Sequence, residues 1–122
     1  MNFPHVLKLD MRNEVLTAER CWILECQNTA DDPAVSIARA RVEPGVTTAW
    51  HAVEGTVERY VIVEGRGCVE VGDVPPTEVG PGDVVTIPAG LRQRIANIGD
   101  SDLIFYCVCT PRFEQKNYRR LE

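Results

Sequence analysis

Two stretches of the chain decide its fold: residues 45–65 read GVTTAWHAVEGTVERYVIVEG, and residues 82–97 read GDVVTIPAGLRQRIAN. Each stretch begins with a glycine, and a second glycine closes a turn at Gly65 and Gly90. Glycine permits the backbone conformations of tight corners, and valine and isoleucine between the corners favour strands. Short strands separated by such turns are typical of a β-sandwich or a barrel.

The pattern of short strand-like runs separated by turns continues through the rest of the chain. Apolar runs of strand length occupy residues 21–26, 34–42, 57–63, 68–71, 84–87, 93–97 and 103–110. Helix is expected only in the polar segment 113–121 and briefly within 14–19, and neither segment shows identifiable chemistry. The prediction is an all-β single domain over residues 1–122. Its core barrel spans about 20–111, with a short N-terminal strand segment before it and a polar C-terminal tail after it.

Composition narrows the classes of partner. The chain has 122 residues, 44% of them hydrophobic, and a length of this order buries roughly two thirds of the unfolded surface. Basic residues number 13 against 18 acidic ones and form no cationic stripe, so binding to nucleic acid or an anionic membrane is not expected. No apolar run has membrane-spanning length, and residues 1–10 lack the pattern of a signal peptide. A cytoplasmic location is expected.

The five cysteines are an odd number without a secretory context, which predicts reduced thiols. Cys107 and Cys109 lie two residues apart, so on a strand they share one face. Inert packing thiols are expected, and a ligand or redox role is the alternative.

The two quoted stretches resemble the two motifs of the cupin superfamily, and the resemblance extends over about residues 35–111. In cupins the first motif places glycine, a His-x-His pair, glutamate and glycine at fixed spacings, and the second places glycine, Pro-x-Gly, histidine and asparagine. The matching positions here are Gly45, His51, Val53, Glu58 and Gly65, then Gly82, Pro88, Gly90, Gln93 and Asn97. The resemblance implies a small single-domain cupin of the type-2 conserved barrel kind, with a double-stranded β-helix or jelly-roll barrel.

The resemblance also shows a depleted metal motif. Metal-binding cupins supply three histidines and a glutamate, whereas this chain has Val53 and Gln93 at two histidine positions. Only His5 and His51 are histidines, so one subunit cannot build a three-histidine site. His51, Glu58 and the amide oxygen of Gln93 form the candidate metal set, for iron, manganese, zinc or nickel. Neutral amide oxygen is a weak donor, so weak binding is expected, and a metal-free site is the alternative.

His51, Glu58 and Tyr60 are the candidate catalytic residues. A histidine beside a carboxylate can transfer protons without metal, although His51 could instead be a hydrogen-bonded histidine of a polar pocket. Glu58 and Tyr60 share a strand face, so Tyr60 could present its hydroxyl to a ligand. A solvent-facing glutamate and a packed tyrosine ring are the alternatives.

Strand parity leaves several further side chains to be located. Arg39 and Arg41 share a face and would bind an anionic substrate if that face points inward, while a solvated or interface face is the alternative. Arg92 and Arg94 should lie outside, and Trp50 should face outward, where a large aromatic suggests a subunit contact. The resemblance implies a homodimer, because cupins commonly pair through edge strands.

Two functions are expected. The first is a small-molecule enzyme acting on a sugar or keto-acid-like metabolite, and the resemblance to cupins implies an isomerase, dioxygenase or dehydratase. The second is a non-catalytic ligand-binding or sensor cupin, which the missing histidines favour. Whether the chain is an enzyme stays open, because one fold hosts many reactions.

Overall fold

The computed structural model describes residues 4–122, and this part of the chain is mostly β-strand. Two three-residue 3₁₀ helices lie at Met11–Asn13 and Gln115–Asn117. Within the described part, no helix is long and apolar enough to cross a membrane. The strands are β1 Val15–Leu16, β2 Trp22–Gln27, β3 Ser36–Val42, β4 His51–Val53, β5 Val57–Glu64, β6 Gly67–Val71, β7 Thr77–Val79, β8 Val84–Ile87, β9 Gln93–Asn97, β10 Leu103–Thr110 and β11 Tyr118–Arg120.

The strands form two antiparallel sheets. One sheet has the order β1-β2-β3-β10-β5-β8, and the other has the order β11-β4-β9-β6-β7. The prediction of an all-β jelly-roll fold is confirmed. Among residues 4–122, however, hydrogen bonding does not join the two sheets into a closed barrel, so the arrangement is a sandwich of two sheets.

The hydrophobic core lies between the inner faces of the sheets. Val42 and Ile62 from the six-stranded sheet are buried in one cluster with Val69 and Ile95 from the five-stranded sheet. These residues alternate with outward-facing ones along each strand, as the two-residue repeat of a strand requires. Truncating such a fully buried isoleucine to alanine typically destabilises a domain by about 2–5 kcal/mol. The core therefore fixes which side chains of each strand point inward.

The turn residues of the two motifs serve the fold. Gly65 has a φ of +85°, and a Cβ there would lie 2.6 Å from the carbonyl oxygen of Asp102, so only glycine fits this corner. The buried amide of Asn97 donates to the backbone oxygens of Val42 at 2.9 Å and Ser101 at 2.8 Å. Both residues hold loops against strand ends, and neither lines the cavity described below.

The helices predicted within 113–121 and 14–19 are wrong. The tail instead makes one 3₁₀ turn and then pairs as β11 with β4, with Tyr118 opposite Val53 and Arg120 opposite His51. Residues Val15 and Leu16 form β1 and pair with β2. Strand edges carry unpaired backbone donors and acceptors, and pairing with them outweighs the weak local helix preference of polar residues.

The face that carries Arg39 and Arg41 points away from the cavity. Both guanidinium groups bind the carboxylate of Glu14, at 3.3 Å and 2.7 Å, and Arg41 also lies 4.9 Å from the centre of the Trp22 ring. The side chains of Arg39 and Arg41 are only 14% and 21% exposed, so they are largely covered in this ion-pair cluster and do not line the cavity.

Trp50 lies on the outer face of the five-stranded sheet. The guanidinium carbons of Arg92 and Arg94 lie 4.4 Å and 4.3 Å from the centre of its ring. Two arginines of the same chain therefore stack on the aromatic surface for which a subunit contact was predicted. The subunit contact itself stays a prediction.

Candidate functional site

A cavity of about 290 Å³ opens between the two sheets. Small-molecule pockets typically measure about 300–1,000 Å³ and are mostly apolar with a few placed polar groups, so this one has the size for a metabolite. All three candidate catalytic residues, His51, Glu58 and Tyr60, line it. Gln93 does not line the cavity and lies buried behind Tyr60. Further polar lining residues are Thr17, Glu19, Glu25, Ser36, Thr48, Gln115 and Tyr118.

His51 is buried at the start of β4 and is 6% exposed. Its Nδ1 lies 2.8 Å from the backbone oxygen of Ala49. A carbonyl oxygen only accepts, so Nδ1 carries the proton of the neutral ring and Nε2 carries the lone pair. No side chain among residues 4–122 hydrogen-bonds to Nε2. The ring is therefore held in the tautomer that leaves a basic nitrogen free for a ligand.

Glu19 and Tyr118 complete the surroundings of His51. The Glu19 Oε2 atom lies 3.4 Å from Nδ1 of His51 and accepts a hydrogen bond of 3.0 Å from the Tyr118 hydroxyl. The Tyr118 ring stacks on the imidazole with 5.4 Å between centres and 24° between planes. The backbone oxygen of Glu19 accepts from Ala49 N at 3.0 Å, which fixes its segment beside β4. The carboxylate is thus placed to stabilise a protonated His51 ring.

Glu58 points into the cavity from β5 with an unusual environment. Its Oε1 atom is shielded from solvent and finds no hydrogen-bond partner within the described part of the chain. Burial raises the pKa of Glu58, while protonated His51 and hydrogen bonds from Gln93 and Cys107 lower it partway. A buried carboxyl with a raised pKa favours its protonated form, which can donate a hydrogen bond. An unpaired buried oxygen of this kind is the natural partner of a ligand atom.

Gln93 links the Tyr60 hydroxyl to the surroundings of Glu58. The Tyr60 hydroxyl donates to Oε1 of Gln93, and Gln93 faces His51 across the β4–β9 pair. Burial raises the pKa of Tyr60 well above its usual value, so the hydroxyl stays protonated and keeps donating. The ring also packs on Phe105 with 4.5 Å between centres. The hydroxyl that could have faced a ligand is therefore engaged within the wall of the cavity.

Three thiols form part of the cavity wall. Cys21, Cys107 and Cys109 line it, and all five cysteines of the chain are free. Cys107 and Cys109 share the inner face of β10, as their spacing predicts. Burial raises the pKa of Cys107 well above its usual value and that of Cys109 to about 12. Neutral thiols of this kind behave as small apolar side chains, which fits the expectation of inert packing groups.

The donor set does not fit a tightly held divalent ion. The amide oxygen of Gln93 already accepts from the Tyr60 hydroxyl, and Val53 supplies no donor. His51 and Glu58 then remain from the candidate metal set, and no three His, Cys, Asp or Glu side chains of residues 4–122 are grouped as a metal site. Divalent ions of the iron or zinc type are ordinarily held by three or more protein ligands, so two donors hold them weakly.

The residues that sequence reasoning missed are Glu19 and Tyr118. Both come from segments that were expected to carry no chemistry, and they meet at His51 only because β11 pairs with β4 and the turn before β2 hydrogen-bonds to Ala49. Neither residue belongs to a local sequence motif that would identify it as part of a site. Strand parity applied to residues 118–120 would have found Tyr118, but only after the segment had been read as a strand.

Comparisons with known proteins agree with this architecture. The sequence model of the family described as "Cupin domain" matches residues 38–109, which is more than half of the chain. An uncharacterized protein of Methanocaldococcus jannaschii is 34% identical over 87 residues, covering 71% of this chain and 69% of the relative.

Solved structures extend the likeness over the rest of the chain. Pac13 of Streptomyces, a nucleoside dehydratase with a structure containing uridine, superposes with a TM-score of 0.77 at 16% identity, covering 94% of this chain and 90% of its own. A predicted oxalate decarboxylase of Thermotoga maritima superposes with a TM-score of 0.68 at 26% identity, covering 75% and 80% of the two chains. With the motif spacings, the sandwich of two sheets and the family match in agreement, the chain belongs to the cupin family.

Proposed function

We propose that this cupin is an enzyme that moves protons on a small molecule bound in the cavity, without a tightly held metal. The observation that carries the proposal is the pairing of two unengaged atoms in one cavity, Nε2 of His51 and Oε1 of Glu58. One is a base with a free lone pair, and the other belongs to a carboxyl group whose pKa is raised by burial, which favours its protonated form. Reactions that need a base and an acid at once, such as isomerisation and elimination of water, suit this pair.

His51 acts as the general base. Its Nδ1 proton points at the oxygen of Ala49, and the ring accepts a substrate proton at Nε2. The imidazolium formed in this way has Glu19 at 3.4 Å, and an adjacent carboxylate stabilises that charge. A histidine oriented by a carboxylate on its other nitrogen is a recurring arrangement of acid–base sites. Glu19 and Tyr118 are therefore positioning residues.

Glu58 acts as the general acid. In its protonated form it donates a hydrogen bond to a carbonyl or a leaving hydroxyl oxygen of the ligand and then gives up the proton. Gln93 hydrogen-bonds to the Glu58 carboxyl group and accepts from the Tyr60 hydroxyl, so Tyr60 is a positioning residue in this proposal rather than a group that touches the substrate. A divalent iron, manganese, zinc or nickel ion bound weakly to His51 and Glu58 is not required for either step.

The comparisons support the class of reaction only by analogy. Pac13 has this fold and is a nucleoside dehydratase, so the architecture hosts an elimination in at least one relative. At 16% identity the likeness carries the fold and no residue roles.

The test follows proton abstraction directly, because the substrate is unknown. Native protein is incubated with a metabolite mixture in deuterium oxide containing EDTA, and mass spectrometry records which compounds gain deuterium. We expect one compound or one family of compounds to exchange, and we expect His51→Gln to slow that exchange by about 10²–10⁴-fold, the usual contribution of a general base. The exposed Glu78→Gln variant on β7 should exchange at the native rate.

Two outcomes would contradict the proposal. Equal exchange by the His51→Gln variant would show that His51 is not the base. Exchange that occurs only in a parallel incubation without EDTA would show that the reaction needs a metal.

A second function, ligand binding without turnover, is favoured by the depleted donor set. It predicts that some compound is retained by the protein on equilibrium dialysis, while no compound gains deuterium. The same metabolite mixture therefore separates an enzyme from a sensor.

A further inference from the structure

We propose that the cavity selects a positively charged small molecule, an amine or a related organic cation, over neutral and anionic molecules of the same size. The inference rests on the proposed function only in taking this cavity as the ligand site. It concerns the charge of the ligand and not the reaction.

The charged side chains that line the cavity are acidic, apart from His51 when it is protonated. Glu19, Glu25 and Glu58 contribute three carboxyl groups. No arginine or lysine lines the cavity within the described residues, and residues 1–3 are Met, Asn and Phe, so every basic side chain is accounted for. His51 is the one group there that can become cationic, and its Nδ1 already faces Glu19.

Two of the three carboxyl groups lack a counter-ion. Glu25 on β2 is solvent-exposed and makes no hydrogen bond or ion pair within residues 4–122. It also lines a neighbouring surface cleft, whose basic residues Arg112 and Lys116 each pair with Glu114. Glu58 leaves Oε1 without a partner deeper in the cavity. The two groups therefore offer a ligand ammonium an exposed entry contact at Glu25 and an inner contact at Glu58. A carboxyl group keeps an acceptor oxygen in both its protonated and its ionised form, so the inner contact does not require Glu58 to be ionised.

Aromatic rings supply the rest of the recognition. Tyr60, Phe105, Phe113 and Tyr118 line the same cavity. The face of an aromatic ring attracts ammonium and guanidinium groups, and the attraction grows when the site is shielded from water. Rings together with carboxylates are the usual surroundings of a bound organic cation. This second feature is independent of the distribution of charged residues.

The same features disfavour the keto-acid class of substrate. A carboxylate or phosphate in a protein site is ordinarily met by arginine, lysine or a helix N-terminus. Here Arg39 and Arg41 lie on the outer face, bound to Glu14. An anion in the cavity would meet carboxyl groups without any fixed cation to balance them.

The cavity has room for a ring that carries one substituent. An apolar cavity of about 150 Å³ holds a benzene-sized ligand, and this cavity measures about 290 Å³. Benzylamine, benzyl alcohol and benzoate share one ring and differ in charge, so they serve as matched probes. At pH 7 they are a cation, a neutral molecule and an anion.

Binding of the three probes to the full chain is measured by protein NMR titration at low and at physiological salt. We expect benzylamine to bind at least about tenfold more tightly than benzyl alcohol, which corresponds to about 1.4 kcal/mol, and benzoate to show no saturable binding. Equal affinity for benzylamine and benzyl alcohol would overturn the inference, as would preferential binding of benzoate.

Variants separate the cavity from the overall charge of the protein, which is −5. Glu25→Gln should weaken benzylamine binding at least about threefold and leave benzyl alcohol within a factor of about two. Glu78→Gln makes the same change in charge on β7, where Glu78 pairs with Arg66, and should leave both affinities unchanged. Equal losses in the two variants would assign the attraction to net charge and overturn the inference.

Failure of this inference and failure of the proposed function look different. Benzylamine selectivity without any deuterium exchange that depends on His51 would leave the cation site standing and remove the catalytic role. Deuterium exchange that depends on His51 but is confined to neutral or anionic compounds would support the catalytic role and overturn the selectivity for cations.

Discussion

Replacing Glu58 with glutamine should stabilise the fold while it removes the function. The carboxyl group lies in the cavity with Oε1 shielded and unpartnered, and its pKa is raised chiefly by burial. Glutamine has nearly the same shape and carries no charge. The variant therefore keeps the packing and removes the cost of ionising a carboxyl group whose Oε1 atom is shielded from solvent.

The sign and size follow from linkage between ionisation and folding. Below the ordinary glutamate pKa of 4.5 the carboxyl is protonated in both the folded and the unfolded chain, so the variant and native protein should differ little. Above this pH, Glu58 ionises in the unfolded chain while it is still protonated in the folded chain. The free energy of unfolding of native protein therefore falls relative to that of the variant, by up to about 1.4 kcal/mol per pH unit, until the pH passes the raised pKa of Glu58. Because one pKa unit corresponds to about 1.4 kcal/mol, the variant is expected to be more stable than native protein at pH 8 by on the order of 1 kcal/mol.

Urea and thermal unfolding between pH 5 and pH 9 provide the assay. Glu58→Gln should unfold at a higher temperature than native protein at pH 8, by roughly 3–6 °C for each kcal/mol in a domain of this size, with a smaller gap at pH 5. Glu64→Gln, an exposed position at the end of the same strand, is the control and should match native protein. If Glu58→Gln is no more stable than native protein at pH 8, the reasoning on the buried carboxylate is refuted.

Three further predictions concern the metal, a turn and a thiol. Native protein should lose divalent metal on gel filtration, and Val53→His combined with Gln93→His should retain it; a folded double variant without tighter binding would contradict the inward placement of these positions. Gly65→Ala should lower the free energy of unfolding by about 2–5 kcal/mol, because of the positive φ and the backbone clash, whereas Gly80→Ala, with open space around it, should have little effect in the same urea titration. The Cys109 thiol, with its pKa raised to about 12, should resist a thiol reagent at pH 8 until the protein unfolds; rapid labelling of the folded protein would show otherwise.

Periodicity and spacing gave much of the fold from the sequence. Strand alternation places His51 and Val53 on one face and Glu58 and Tyr60 on another, and in the structure all four line the cavity. The loss of two motif histidines predicts a weak metal site, and the strength of metal binding stays a prediction. The catalytic roles, the homodimer, the cytoplasmic location and the single-domain boundaries over residues 1–122 stay predictions.

Other parts of the site depend on tertiary pairing that one sequence does not reveal. The segment containing Tyr118 is polar and suggests a helix, yet the unpaired edge of β4 makes it a strand. Glu19 lies in a turn that approaches His51 through a single backbone hydrogen bond to Ala49. The engagement of Gln93 by Tyr60 also needed the structure, because it depends on which side chains meet across two sheets.

The pairing of β11 with β4 has a consequence for how this protein could change its ligand. The family match covers residues 38–109, but Glu19, Glu25, Phe113 and Tyr118 lie outside this range and also line the cavity. Two proteins could therefore share the conserved sandwich and its motifs while exchanging these flanking segments, and with them the chemistry that a ligand meets. Ligand specificity could then change without a change in the scaffold. Grafting the segments before residue 38 and after residue 109 onto a related sandwich should transfer the specificity.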